Sequence, residues 1–465
     1  MPIQLRKYQI DGIADIRSAF SAGLRRVVYV LPCGAGKTIM AAWLTSRVVA
    51  KGKRILALVH RTELIQQTSD AYKAFGIPHS VMEGGTRGVP RAQVVVGSVF
   101  TVVRRMHHML PPDLIWSDEC HHLCAGNSWS KVVRQFPNAF VFGNTATPCR
   151  LDGAGLGEFF ELMVIGPTAR ELIDAGFLTD IDTYAPQSSV DLSGIKTRAG
   201  DYVTEQLSNI LDKSTVTGNA VEHYKKLAHN RPAVAFCCSV SHATHVAEQF
   251  RSAGYSSVCI EANTDKHTRA QAIRDLANGR LKVLTSIDVV SEGFDCPVLE
   301  VGIGLRPTKS TGLFLQQTGR LCRTAPGKER AILLDHSGNV FRHGLFDSPR
   351  EWTLAGSGNL KKAVVAAPAL RTCPACLAIH RPAPICPRCG HVYEAAPRLP
   401  ETVEGELKRV VNGTAVPAKA KNPLRDQVRR ARSKEALERI AEERGYKQGW
   451  VRFIMAARAG KINSA

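Results

Sequence analysis

The stretch WSDECHHLC (116–124) sets two adjacent carboxylates, Asp118 and Glu119, directly after the apolar run PDLIW and directly before His121 and His122. Carboxylates are seldom buried unless they are paired or hold a metal, so acids closing an apolar run suit a cation and a water that needs activating. Four letters alone also fit an ordinary strand end with exposed charges. The upstream stretch LPCGAGKTIMAAWL (31–44) breaks the tie. There Gly34, Ala35 and Gly36 can form a tight turn with inward-facing amides, Lys37 can reach β and γ phosphates, Thr38 can ligate Mg²⁺, and the following helix offers its N-terminus to anions. Leu31 stands where the strict G-x-x-x-x-G-K-[ST] pattern has glycine, but the order of strand, glycine turn and helix is kept. With ATP and Mg²⁺ at such a turn, Asp118 would hold the ion through its waters and Glu119 would polarise the attacking water, as phosphoryl transfer requires.

A second constellation lies in CPACLAIHRPAPICPRCG (373–390), where Cys373, Cys376, Cys386 and Cys389 form two C-x2-C knuckles nine residues apart. Two such knuckles suit a tetrahedral, structural Zn²⁺, since four thiolates leave no open position for water. His380 and His391 are alternative ligands within reach, and reduced, unliganded thiols are the bland reading.

These residues need elements to hold them. Short β-rich runs alternate with helix-like stretches at RVVYVL (26–31), RILALVH (54–60), AQVVVGSV (92–99), DLIWSDE (113–119) and AFVFGNTAT (139–147). Continuous apolar runs of this kind belong to a parallel sheet covered on both faces. After a polar stretch at 185–201 the pattern restarts with AVAFCCSV (233–240), SSVCIEA (256–262), LKVLTSID (281–288), LEVGIGL (299–305) and RAILLDH (330–336). The fold expected is α/β, with parallel-sheet domains at 1–178 and 179–350, a zinc ribbon at 370–393, a linker at 394–422 and a basic helical tail at 423–465.

A chain of 465 residues exceeds what one core usually supports, in keeping with two large domains. Lysine and arginine number 61 against 41 acids, a net charge of +20, which favours a polyanionic partner without separating nucleic acid from a membrane surface. No apolar run approaches the 18 or so residues of a spanning helix, and MPIQLRKYQI lacks a signal peptide's apolar core, so a cytoplasmic protein with no membrane partner is expected. Thirteen scattered cysteines argue for reduced thiols or metal ligands over a disulfide framework.

In this order the motifs resemble superfamily-two helicases and translocases of the DExH type over about residues 3–336. The resemblance implies two tandem RecA-like domains. It makes LRKYQ the adenine-reading element, with Gln9 on the base and Arg6 or Tyr8 beside it, and adds His121 to the catalytic acids. VHRTELIQQ and GSVFTV would meet the nucleic-acid backbone through Arg61, Ser98 and Thr101, and TATP would couple ATP to the strand through Thr145 and Thr147. In VLTSIDVVSEGFDCP, Thr285 would touch the backbone while Gly293 and Asp295 face the ribose. QQTGRLCR matches Q-x-x-G-R-x-x-R, so Gln316 would sense the nucleotide and Arg320 and Arg323 would act as arginine fingers. A guanidinium supplied across a cleft makes hydrolysis conditional on closure.

The motor also resembles restriction-enzyme translocase subunits, and with the ribbon and ERGYKQGWV the chain resembles bacterial RadD-type DNA-repair ATPases and their phage relatives. The function implied is an ATP-dependent helicase or translocase on single-stranded or branched DNA, with a replication or repair protein as a further partner of the ribbon or tail. The alternatives are an RNA helicase, a motor serving a partner nuclease, and a non-catalytic scaffold, the last disfavoured by intact Lys37, Asp118, Glu119, Arg320 and Arg323. Residues 396–465 carry sixteen basic and eight acidic side chains with Tyr446, Trp450 and Phe453, fitting either a nucleic-acid contact or a docked helical pair. Because the catalytic motifs end before Ala325, residues 1–350 are expected to fold and hydrolyse ATP alone. Cys33, Cys120 and Cys322 lie inside three motifs, as reactive thiols beside the nucleotide or as buried fillers.

Overall fold

The computed structural model describes residues 3–148, 154–186, 195–198, 201–202, 207, 214–287, 295–355 and 369–393, then 428, 431, 433–443, 451 and 454–455. Seven parallel strands form the first sheet: β1 (Arg26–Val30), β2 (Ile55–Val59), β3 (Ser80–Met82), β4 (Val94–Ser98), β5 (Leu114–Ser117), β6 (Phe140–Thr145) and β7 (Leu162–Ile165), in the order β3-β4-β2-β5-β6-β1-β7. Successive strand residues point to opposite faces, and each face has its own apolar cover. Tyr29, Ala57, Val96 and Trp116 meet helices α1 (Lys7–Ser21), α2 (Lys37–Val49) and α3 (Thr62–Ala74) through Ile16, Met40 and Tyr72. Val28, Leu56, Val95 and Ile115 meet α4 (Val99–Arg105) and α5 (Ser128–Gln135) through Val102 and Val132.

After α6 (Ala169–Asp174) the chain crosses into a second sheet that begins with β8 (Asp180–Tyr184). A hairpin of β9 (Thr197–Arg198) and β10 (Asp201–Tyr202) precedes β11 (Ala233–Phe236), β12 (Ser257–Ile260), β13 (Val283–Ser286), β14 (Val301–Gly304) and β15 (Arg330–Asp335). One face is covered by α7 (Ser214–Ala228) and α8 (Val240–Ser252), the other by α9 (Lys266–Ala277) and α10 (Thr311–Gly319), and α11 (Asn339–His343) follows β15. The ten apolar runs of the sequence thus become β1, β2, β4, β5, β6 and β11 to β15.

The ribbon is not a free appendage. Its strands β16 (Arg371–Thr372) and β17 (Ile379–His380) complete an eight-stranded sheet in the order β12-β13-β11-β14-β15-β8-β17-β16, with Ile379 antiparallel to Thr183 of β8. Arg381 reaches Asp347 at 2.7 Å and Arg388 reaches Asp182 at 2.8 Å. A cut after residue 350, the end of the expected second domain, would take this neighbour from β8.

Beyond residue 395 the described residues form a separate unit. There α12 (Lys434–Glu443) buries Leu437 and Ala441 against Ala431 and Val451. The expected linker at 394–422, and Tyr446, Trp450 and Phe453 of the tail, lie outside the described residues. No described helix is long and apolar enough to cross a membrane.

Candidate active site

Strand register brings the motifs of the first lobe to one edge. Val30 stands opposite Thr145, and Ser117 opposite Gly143, so the turn after β1, Asp118 after β5 and Thr145 at the end of β6 share the carboxyl edge where α/β sheets bind ligands. In the turn, Gly34 and Gly36 adopt φ of 81° and 80°, a left-handed geometry that glycine takes without steric cost. A Cβ on Gly36 would sit 2.6 Å from Gln9 Nε2. Lys37 Nζ bends back to the carbonyls of Leu31 (3.3 Å) and Pro32 (3.5 Å), and Thr38 follows in the first turn of α2.

Gln9 is buried and braces the turn. Its Nε2 donates to the carbonyls of Ala35 (3.4 Å) and Gly36 (3.3 Å), and its Oε1 accepts from the Arg6 amide at 2.9 Å. Tyr8 donates to the Ala35 carbonyl at 2.8 Å and accepts from Arg6 at 3.1 Å, while the Arg6 guanidinium lies 4.6 Å from the Phe177 ring.

Both acids are buried, and Glu119 holds φ at 45°, an unusual conformation for a non-glycine residue and one that concentrates at functional sites. Thr145 Oγ1 donates to Glu119 Oε2 at 3.3 Å, accepts from the Thr147 amide at 3.1 Å, and lies 2.9 Å from His121 Nδ1. His121 Nδ1 is itself 3.3 Å from Glu119 Oε2. The acid pair and the TATP turn are therefore one network. The sequence reading missed Asn144, whose amide nitrogen, turned toward Asp118, donates to Oδ1 at 2.9 Å and to the Ser117 carbonyl at 3.2 Å. An amide inside the otherwise apolar run FVFGNT was the available signal.

The second lobe closes on this edge. Thr147 Oγ1 is buried without a hydrogen-bond partner, and a Cβ on Gly312 of α10 would lie 3.5 Å from it. At the far end of α10, a Cβ on Gly319 would collide with Cys33 Cβ at 2.3 Å, and one on Gly34 would lie 3.4 Å from Arg323 Cγ. Gln316 and Arg320 are buried on the same segment. Arg323 pairs with Asp295, and burial, together with the neighbouring Arg320, lowers its guanidinium's proton affinity. Glu63 of α3 pairs with Arg269 of α9 across the lobes.

Of the nucleic-acid candidates, Arg61, Ser98 and Thr101 cluster, because Val59 stands opposite Ser98, and all three are partly exposed. Thr285, by contrast, is fully buried in β13 and donates to the Ala243 carbonyl at 2.7 Å. Gly293 lies outside the described residues. Cys33, Cys120 and Cys322 are buried, and burial pushes the thiols of Cys120 and Cys322 well above their usual range, so those two are fillers.

In the ribbon, the sulfurs of Cys373, Cys376, Cys386 and Cys389 all lie within 4.8 Å of one another, with 3.6 Å between Cys373 and Cys389 and 3.9 Å between Cys376 and Cys386. Thiolates about 2.3 Å from a tetrahedral ion stand about 3.8 Å apart, so this donor set fits a metal. His380 is committed elsewhere, to Tyr393 Oη at 2.7 Å and the Arg381 carbonyl at 2.6 Å.

Residues 2–150 match the family described as type III restriction enzyme, res subunit, and residues 216–325 match the helicase conserved C-terminal domain. A 51.5 kDa protein of a Lactococcus phage (isolate 7-9) is 34% identical over 367 residues, covering 78% of this chain and 77% of its own. A fragment structure described as the HsdR subunit of a type I restriction enzyme from Vibrio vulnificus superposes with a TM-score of 0.60 at 20% identity, over 74% of this chain and 67% of that one. The ATP-dependent type ISP restriction-modification enzyme LlaBIII, bound to DNA, gives 0.54 at 17% identity over 71% of this chain, which spans only 28% of that enzyme. The chain belongs to the superfamily-two helicases, in their restriction-subunit-like form. It is an ATP-hydrolysing helicase or translocase motor.

Proposed function

We propose that this motor acts on DNA and fires only when its lobes close. Lys37 and the amides of the glycine turn bind the phosphates. Thr38 and Asp118 would hold Mg²⁺, with Asn144 fixing the carboxylate. Mg²⁺ supplies neutralisation of phosphate charge when bound. Glu119, steered by Thr145 and His121, orients the attacking water. Arg320 and Arg323 bring positive charge from the other lobe, with Gln316 beside them, and Asp295 and Gly293 serve the ribose. Gln9 acts at the base through the turn it braces, with Arg6 alongside. Arg61, Ser98 and Thr101 grip the DNA backbone, and Thr147 relays closure. Cys373, Cys376, Cys386 and Cys389 hold structural Zn²⁺, whose donor geometry supports that ion.

The carrying observation is the seam between Gly319 and Cys33, where a single methyl would not fit. It sets the arginine-bearing segment directly on the phosphate turn. A basic chain suits a nucleic acid of either kind, the likeness to restriction motors supports DNA over RNA, and acting in DNA repair is part of the same reading. A second reading is a motor that serves a partner nuclease, since the family matched by residues 2–150 is that of a restriction-enzyme subunit. ATP turnover with no nucleic acid, single-stranded DNA, duplex, forked DNA and RNA tests the proposal, with Lys37→Ala as the inactive control. Stimulation by RNA alone refutes the DNA assignment.

A further inference from the structure

The peptide that carries Arg323 is held from three sides. Lys328 Nζ donates to the Arg323 carbonyl at 2.7 Å, and Thr179 Oγ1 donates to the same oxygen at 3.3 Å. The Thr179 amide donates to the preceding carbonyl, that of Cys322, at 2.7 Å. Lys328 Nζ also reaches the Pro297 carbonyl at 3.1 Å, two residues after the Asp295 carboxylate that pairs with the Arg323 guanidinium. Carbonyls just past a helix end lack intrahelical partners and normally go to water, a cap or a side chain. Here they go to two residues with distinct positions. Thr179 is buried at the crossover, one residue before β8, and Lys328 lies in the turn before β15. An ammonium on a flexible stem can serve two carbonyls at once.

We propose that Thr179 and Lys328 are positioning residues for the arginine finger, fixing the Cys322–Arg323 peptide so that the side chain leaves it toward Gly34, and tying that peptide to the crossover between the lobes. The inference rests on the reading of Arg323 as a finger. A guanidinium at the end of a long side chain takes its direction from the peptide it leaves. Loosening that peptide lets it wander while ATP still binds on the other lobe. Burial also lowers the Lys328 pKa to about 8, because loss of water around the ammonium disfavours its charged form.

The test uses the full chain and DNA-stimulated ATP turnover, with KM for ATP and melting temperature measured in parallel. Lys328→Met and Thr179→Val should each lower kcat by about ten- to a hundredfold, as small misplacements of catalytic groups do, with KM unchanged. Lys328→Arg and Thr179→Ser restore a donor and should recover most of the rate. Adding Lys328→Met to Arg323→Ala should cost nothing further, because a residue acting through Arg323 is silent without it. Thr179→Val, nearly isosteric, carries the test if Lys328→Met does not fold. Wild-type kcat in Lys328→Met and Thr179→Val, beside a strongly impaired Arg323→Ala, overturns the positioning role and leaves the finger standing. So does a full additional loss in the double variant. A fully active Arg323→Ala removes the finger assignment and this inference together.

Discussion

Replacing Gly319 by alanine tests whether hydrolysis needs the lobes in contact. The new Cβ would lie 2.3 Å from Cys33 Cβ and 3.2 Å from its sulfur. Carbon atoms settle at about 3.5 Å, so the seam has to open by roughly 1.2 Å. A displacement of about 1 Å between catalytic groups can cost about a hundredfold in rate, equivalent to about 2.7 kcal/mol of barrier. Alanine is the better helix former by about 1 kcal/mol, so the second lobe itself should be no less stable. The expected signature is therefore a fall in DNA-stimulated phosphate release with the melting temperature and ATP affinity preserved. Cys33→Gly removes the atom in the way and should restore turnover in the double variant. Wild-type turnover in Gly319→Ala would refute the requirement for a closed seam.

Lys37→Ala and Glu119→Gln should each abolish turnover, and only Glu119→Gln should keep ATP affinity, measured by equilibrium binding, because it removes the water-orienting group alone. Truncation after residue 355 strips β17 from β8 and Arg388 from Asp182, and should lower the melting temperature by roughly 2–4 °C for every kcal/mol by which the fold is destabilised. Cys373→Ser with Cys376→Ser should release the bound metal, read by elemental analysis, and unfold the ribbon locally. Lys328 titrates near 8 when folded against a usual 10.5, so between these values the unfolded chain holds a proton the folded chain has lost. Its contribution to stability thus rises with pH across that window and is lost as pH falls through 8. Cys296 and Cys322 beside it stay neutral there, burial having raised both thiols. Denaturant unfolding at pH 7 and 9.5 should show the wild type gaining on Lys328→Met, and an equal difference at both pH values contradicts the burial of that charge.

Phosphate chemistry tolerates few side chains at few spacings, which is why the glycine turn, Asp118, Glu119 and the QQTGRLCR arginines can be read directly from the letters. Doubly covered parallel strands are equally plain, as unbroken apolar runs. β7 is harder, because all four of its residues are partly exposed at the sheet edge. β8 shows no such run because DIDTY carries two aspartates, and only the structure supplies Arg330 and Arg388 to neutralise them. Thr285 shows the limit of motif matching. Its place in the chain suggests a nucleic-acid contact, but the alternation of β13 turns the hydroxyl inward to α8. Asn144 shows in the letters only as an amide in an apolar run: its role depends on Asp118, 26 residues away in sequence, beside a strand whose register the letters do not state.

β8 ties these observations together. Its first residues follow Thr179, whose amide and hydroxyl hold the Cys322 and Arg323 carbonyls, and its far edge takes up β17 of the ribbon. Asp182, within it, is paired with Arg330 of β15 on one side and Arg388 of the ribbon on the other. Asp347 joins Arg381 of the ribbon to Arg170 of α6, the helix that leads into the crossover. Its neighbour Phe346 comes within 3.4 Å of where a Gly319 side chain would begin. One short strand and one loop thus connect the four-cysteine site to the seam at which ATP would be hydrolysed. An edge strand left open is prone to slip or to pair with another chain, and closing it with a knuckle that a metal would stiffen fixes its register. The ribbon therefore has a structural reason to sit where it does that is independent of any partner it binds: it immobilises the strand from which the arginine-bearing peptide is held.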